Sequence, residues 1–200
     1  SYVGDSNRLE LSKNYRSAKG IVDTGNELMN GLGIPAQAHS EAAGTVVVAD
    51  LGEFSPSFIE SERHSGDEIT PAVLRFVQRS LDEGRDVVLL HRQQYIPSYI
   101  NMEAWGDGRR SRDPTFLDLI RSYFPEELGG RIQQSTVHKY KGLEKPTVIV
   151  LDAIARSFPL VHPDWIFTRV LGDSPAQIIG EERRLFYVAV TRAIHELVLV

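Results

Sequence analysis

Three short apolar runs constrain this chain most: Val46-Val47-Val48-Ala49, Val87-Val88-Leu89-Leu90 and Val148-Ile149-Val150-Leu151. A strand with one wet face alternates apolar and polar residues, whereas a strand covered on both faces reads as an unbroken apolar run. Such strands occur in parallel sheets layered between helices, and the intervals between the runs carry helical spacing. Strands are expected over 45–50, 86–91, 131–137, 147–152 and 195–200. A helix is expected from near Ser17, with cap-type residues from Asn14 to Ser17, a stripe of Ile21, Val22, Leu28 and Met29, and a stop at Gly31-Leu32-Gly33-Ile34-Pro35. Thr70-Pro71 reads as N-cap and first position of a second helix, with Val73, Leu74, Val77 and Leu81 on one face and Glu83-Gly84-Arg85 as its stop. Residues 53–66 read as a surface loop. The stretch 93–123 is helical, interrupted by Gly106-Asp107-Gly108 and by the cluster Arg109-Arg110-Ser111-Arg112, which reads as a solvated loop ahead of a phosphate contact. A last helix is expected over 181–193. Strands alternating with helices predict one α/β domain over 1–200, a three-layer arrangement with a mainly parallel sheet flanked by helices. Ligands of such sheets gather at the carboxyl ends of the strands.

The same runs are four residues long, far below the roughly 18 that a membrane-spanning helix needs. The 200 residues contain no cysteine, which removes disulfides and thiolate metal sites and fits a cytoplasmic setting. Six histidines lie scattered with no pair at metal-ligand spacing, so no metal site is expected. There is no Gly-x-x-x-x-Gly-Lys-Ser/Thr phosphate loop and no Gly-x-Gly-x-x-Gly. A net charge of −5 means that any nucleic-acid contact uses a few aimed groups and not a bulk positive field. Ser1 at the start, without an apolar leader, suggests a piece of something larger.

Three segments carry chemistry: Leu11-Ser12-Lys13-Asn14-Tyr15-Arg16-Ser17 at a helix start, Thr136-Val137-His138-Lys139-Tyr140-Lys141-Gly142-Leu143-Glu144 after a strand, and the helical stretch from Glu181-Glu182-Arg183-Arg184 to Val190-Thr191-Arg192-Ala193. Together and in this order they resemble motifs IV, V and VI of the UvrD/Rep/PcrA-type superfamily 1 helicases, and Asp86 to Arg92 is similar to the strand segment between IV and V. The resemblance runs almost end to end. It implies the second, C-terminal RecA-like domain of such a motor, whose first RecA-like domain, with the phosphate loop and the Mg²⁺ ligands, is not in this chain.

What the resemblance implies for single residues is specific. ATP would lie in a cleft shared with the first domain, with Tyr15 stacked on the adenine, Arg16 and Arg192 on the γ-phosphate, and Glu144 accepting from a ribose hydroxyl. An arginine's fixed fork suits phosphoryl oxygens and stabilises charge in the transition state. Gly142 would let the backbone approach the nucleotide without a Cβ. Thr136 and His138 would touch the backbone of single-stranded DNA without reading its bases. Arg183 and Arg184 read as surface partners of Glu181 and Glu182 or as packing stems rather than ligands, with Leu185, Val188 and Ala189 as the buried stripe. Lys139 and Lys141 stand between phosphate contact and solvated charge.

Departures from the family pattern shape the expectation. The interval from Arg16 to Thr136, 120 residues, is too short for the large subdomain inserted there in the best-known members. Lys145-Pro146 follows Glu144 where an aromatic and an acidic residue are expected. The stretch 153–180, with Ser157 to Phe167 rich in aromatics and prolines, reads as an apolar flap on the domain edge ahead of a partner-binding or domain-docking surface. The implied function is ATP-driven translocation along single-stranded DNA, 3′ to 5′ by family analogy. A helicase-like regulatory module and the motor half of a helicase-nuclease are the competing readings.

Overall fold

In a computed structural model, which describes residues 13–49, 71–92, 116–151, 153, 158 and 174–200, the apolar runs are the centre of one sheet. The strands β1 (Lys13–Asn14) and β2 (Gln37–Ala38) pair as a small parallel ribbon apart from it. The main sheet contains β3 (Thr45–Val48), β4 (Val87–His91), β5 (Ile132–Thr136), β6 (Lys145–Val150) and β7 (Ala193–Leu199) in the order β3-β7-β6-β4-β5, every pair parallel. Helices cover both faces: α1 (Lys19–Leu28) and α5 (Pro175–Val190) on one, α2 (Pro71–Asp82) and α3 (Phe116–Ser122) on the other, with a one-turn α4 (Glu126–Gly129) before β5. This is the expected three-layer α/β arrangement, a parallel sheet flanked by helices.

Alternate residues of the central strands feed two cores. Val87, Leu89, Ile149 and Val198 meet Val73 and Val77 of α2, while Val88, Leu90, Val148 and Leu197 meet Ile21 of α1 and Leu185 and Ala189 of α5. All five residues of β4 are buried, because β6 and β5 flank it and helices cover both its faces. The run at 45–48 is different. It forms the edge strand, paired only with β7 among the described strands, and Val48 is 78% exposed, which corrects the expectation of a buried strand there. β3 and β4 are parallel as expected of a strand-helix-strand unit, but two strands lie between them.

One charge is buried in the α2 layer. Glu196 on β7 is 1% exposed and accepts hydrogen bonds from Arg79, from Arg85 at 2.7 Å and from Ser80 Oγ at 3.1 Å. A carboxylate this deep is tolerated because several donors satisfy it, and the bonds seat α2 on the sheet.

Several boundaries moved for local reasons. α1 starts at Lys19, and Asn14 caps no helix; its Oδ1 accepts from the amides of Arg16 and Ser17, both at 2.9 Å, in a tight turn. α5 begins at Pro175, six residues before the expected start, where Ser174 and Gln177 form a reciprocal capping box. Pro146 carries no amide hydrogen, and the β6–β7 register shifts between Lys145 and Thr147 around it. The expectations for Leu11 and Ser12, Thr70, the loop 53–66, the cluster 109–112, Asp152 and most of the flap 157–167 lie outside the described residues.

Candidate functional site

Glu144 and Arg192 are the residues immediately before β6 and β7, and these strands are neighbours. The amide of Lys145 donates to the carbonyl of Arg192 at 3.1 Å, so the two side chains emerge side by side. The turn before α1 is tied to the same corner: Ser17 Oγ donates to Ala193 O at 2.7 Å and the Ala18 amide to Ile194 O at 2.8 Å. Arg16 therefore reaches Glu144, with which it makes a half-exposed ion pair, and its second nitrogen lies 3.5 Å from Thr191 O. Tyr15 stands 67% exposed, its ring 4.6 Å from that of His39, which the β1–β2 ribbon brings alongside.

These groups frame an open cavity of about 350 Å³ lined by Lys13, Tyr15, Arg16, Tyr187 and Arg192 among others. Among the described lining residues there are three cations and no carboxylate, with Glu144 reaching in only through Arg16. The opening is therefore suited to an anion with an aromatic-stacking group. Arg192 is held in place by its own backbone: Nε donates to Val188 O at 2.9 Å and a terminal nitrogen to Leu143 O at 3.2 Å. Burial, and then the adjacent Arg16 guanidinium, hold its pKa below the usual arginine value. A bound anion would relieve that crowding of like charges.

This cluster lies at the amino edge of the sheet, not at the carboxyl edge where the general rule for such sheets places ligands. Thr136, in contrast, is the last residue of β5 and lies at the carboxyl edge, opposite His91 in the register of β4. From there the 137–144 segment returns across the sheet face. Val137 and Tyr140 are buried under it, and Tyr140 OH lies 3.4 Å from Glu144 O. Gly142 has φ +85°, and a Cβ there would meet no protein atom within 4 Å. Within this chain the glycine thus answers to a left-handed backbone and not to crowding.

The sequence assignments divide accordingly. Tyr15, Arg16, Gly142, Glu144 and Arg192 belong to the amino-edge cluster and its loop; Thr136 and His138 stand apart at the other end of the same loop. His138 is exposed, and desolvation, then the charges of Arg92 and Lys141, push its pKa down. It is neutral at neutral pH. Lys139 and Lys141 are exposed. Lys145, the departure after Glu144, pairs with Asp86 at 3.0 Å. That hydrogen bond, and next the one from Arg131, lowers the Asp86 pKa and ties the amino ends of β4, β5 and β6 together.

One arginine expectation is corrected. Arg183 does not partner its helix neighbours; its guanidinium donates to Leu28 O and to Asn30 O at 2.9 Å, capping the open carbonyls at the end of α1. Glu182 pairs with Arg92 from the end of β4, with Nε to Oε2 at 3.0 Å. Tyr187 and Lys13 complete the opening without having been singled out, and His39 stands against the Tyr15 ring. Tyr187 lies one helical turn before Thr191 and was legible from that spacing, whereas His39 reaches Tyr15 only through a two-residue ribbon that carries no sequence signal.

Comparison with known proteins gives three findings. Residues 121–200 match the family model of the UvrD-like helicase C-terminal domain. A protein of Bacillus subtilis (strain 168) named "Putative ATP-dependent DNA helicase YjcD" is 46% identical over 124 residues, covering 62% of this chain and 14% of that protein. The chain thus spans a small part of that relative's length. A solved structure, the C-terminal domain of a possible DNA helicase from Lactobacillus plantarum WCFS1, aligns over 94% of this chain and 86% of that one at 19% identity, with a TM-score of 0.45.

Proposed function

We propose that this chain, whose residues 121–200 match the UvrD-like helicase C-terminal domain, is the second RecA-like motor domain of an ATP-dependent DNA helicase. The observation that carries the reading is the gathering of Tyr15, Arg16, Glu144 and Arg192, from three separated segments, around one cation-lined opening. A docking module needs no such cluster. In this reading the N-terminal RecA-like domain of the same protein presents ATP on its phosphate loop with Mg²⁺, the ion that neutralises charge on the transferring phosphoryl group. This chain closes the site from the other side. Tyr15 offers its exposed face to the adenine. Arg192, already aimed by Val188 and Leu143, meets the γ-phosphate. Arg16 exchanges Glu144 for phosphate oxygens, and Glu144 then accepts from the ribose. That exchange costs little, because an ion pair as exposed as this one is worth at most about 1 kcal/mol. Thr136 and His138, at the far edge, touch the backbone of the single strand.

The first expected result concerns the chain alone. Without a phosphate loop it should bind nucleotide weakly and show no ATPase activity, with or without DNA. Joined to its phosphate-loop domain it should show ATPase activity stimulated by single-stranded DNA. Steady-state phosphate release decides the matter: turnover by the fragment, or no DNA response by the joined protein, sinks the proposal.

The two ends of the 136–144 loop should fail differently. Thr136→Ala with His138→Ala should weaken single-strand affinity and leave its salt slope nearly unchanged, because a neutral imidazole and a hydroxyl release no counterions. Glu144→Ala should raise KM for ATP about 10- to 150-fold, the size of one lost charged hydrogen bond, and spare DNA affinity. Fluorescence anisotropy and ATP saturation kinetics measure the two effects. Equal DNA weakening by both variants would show that the loop is not divided this way.

A further inference from the structure

The proposed reading places DNA contacts at the carboxyl edge of the sheet and phosphate contacts at the amino edge, so something must connect them. The 137–144 loop is one connection. Helix α5 is a second, on the same face of the sheet. It passes the carboxyl edge at Glu182 and ends at Val190, eight residues or roughly 12 Å further along its axis and just before Thr191-Arg192. At the carboxyl edge it is fastened by a bidentate pair: Arg92, the residue after β4, donates Nε to Glu182 Oε2 at 3.0 Å and a terminal nitrogen to Oε1 at 2.6 Å. The pair is mostly enclosed, with side chains 16% and 12% exposed. A bidentate arginine–carboxylate pair in such a place fixes direction more than it adds stability, since enclosing both charges costs nearly what their attraction returns.

What it fixes is the neighbour of the Thr136–His138 turn. Thr136 stands opposite His91 in the register, and the Val137 amide donates to His91 O at 2.9 Å, so the turn hangs from the residue before Arg92. His138 lies close enough that the charges of both Arg92 and Glu182 act on its imidazole. We infer that Arg92 and Glu182 are a positioning couple that holds this turn in register with α5, so that a strand seated on the turn biases the Arg192 end of the helix. The inference rests on the proposed function, and neither residue touches the nucleotide opening.

The test uses the joined protein and an unstructured thymidine oligonucleotide, with ATPase measured with and without DNA. Arg92→Gln and Glu182→Gln should each cut the DNA stimulation of kcat about 5- to 20-fold, the range of a coupling between sites, while DNA-free kcat and KM for ATP stay within about twofold. The double variant should be no worse than either single one, and the reciprocal exchange of Arg92→Glu with Glu182→Arg should restore part of the stimulation. The exchange keeps both charges and so carries the test if a single variant melts early. Loss on Arg92→Gln with normal stimulation in Glu182→Gln would make Arg92 a strand contact and overturn the inference. Normal stimulation in both would overturn it as well, leaving the helicase reading intact. An unsubstituted protein that ignores DNA would overturn the reading and the inference together.

Discussion

Under the proposed function, Arg16→Ala and Arg192→Ala, each made in a protein that joins this chain to the phosphate-loop domain of that reading, should lower kcat for ATP by roughly 10³-fold or more, as loss of an arginine finger does. Lysine should not rescue Arg192. It keeps the charge but loses the bonds from Nε to Val188 O and from the terminal nitrogen to Leu143 O that aim the side chain. Folding should survive at both positions, because Arg16 is held by a half-exposed ion pair and one long contact, and Arg192 mainly by carbonyls near water. Single-turnover kinetics beside a thermal melt separate the two effects. Near-normal kcat in both variants would make these side chains structural props for the end of α5 and the loop before β6.

Gly44→Ala should be the most damaging small substitution for stability among the described residues. The N-cap of α1, Ala18, has no side chain to satisfy the first helical amides, and the backbone before β3 does so instead: Lys19 and Gly20 donate to Ala42 O and Ala43 O at 2.9 and 2.8 Å. Gly44 follows with φ +69°, and a Cβ there would lie 2.4 Å from the Cβ of Ala18 and 3.2 Å from His195 O. Left-handed strain and the clash together should cost about 3 kcal/mol, lowering the melting temperature of a chain this size by roughly 6–12 °C. The displaced segment also carries Ser17 and Arg16 with it, so nucleotide affinity should fall in parallel. A melting temperature within about 2 °C of the unsubstituted chain would show that the segment slides away without penalty.

The central sheet was legible because burial on two faces leaves a local mark. Val87 to Leu90 and Val148 to Leu151 are apolar at every position, and no neighbour is needed to read them as interior strands. The same logic misjudged Val46 to Val48, since a strand's place at the edge or centre depends on which other strands flank it. The early start of α5 had a local mark too, in Ser174 and Gln177, which lies beyond the apolar stripe that drew attention to Leu185 and Ala189. Helix and strand identity are decided by nearest neighbours in the chain, so these features belong to the sequence.

The site is of another kind. The sequence marked its members through three motifs in order, but nothing local states that Arg16, Glu144 and Arg192 meet. They meet because β6 and β7 are adjacent and parallel, which brings the residues before each strand together, and because Ser17 and Ala18 bond to the start of β7. Strand adjacency also decided that this cluster lies at the amino edge while Thr136 ends at the carboxyl edge. The pairs Arg92–Glu182 and Arg79–Glu196 join residues 90 and 117 positions apart, and Arg183 caps a helix 155 positions away. An ion pair or a cap needs only a donor within about 3 Å of an acceptor, and sequence separation says nothing about that distance. Residue types and local periodicity thus set which elements form and which side chains carry chemistry, and the packing of those elements sets which side chains act together.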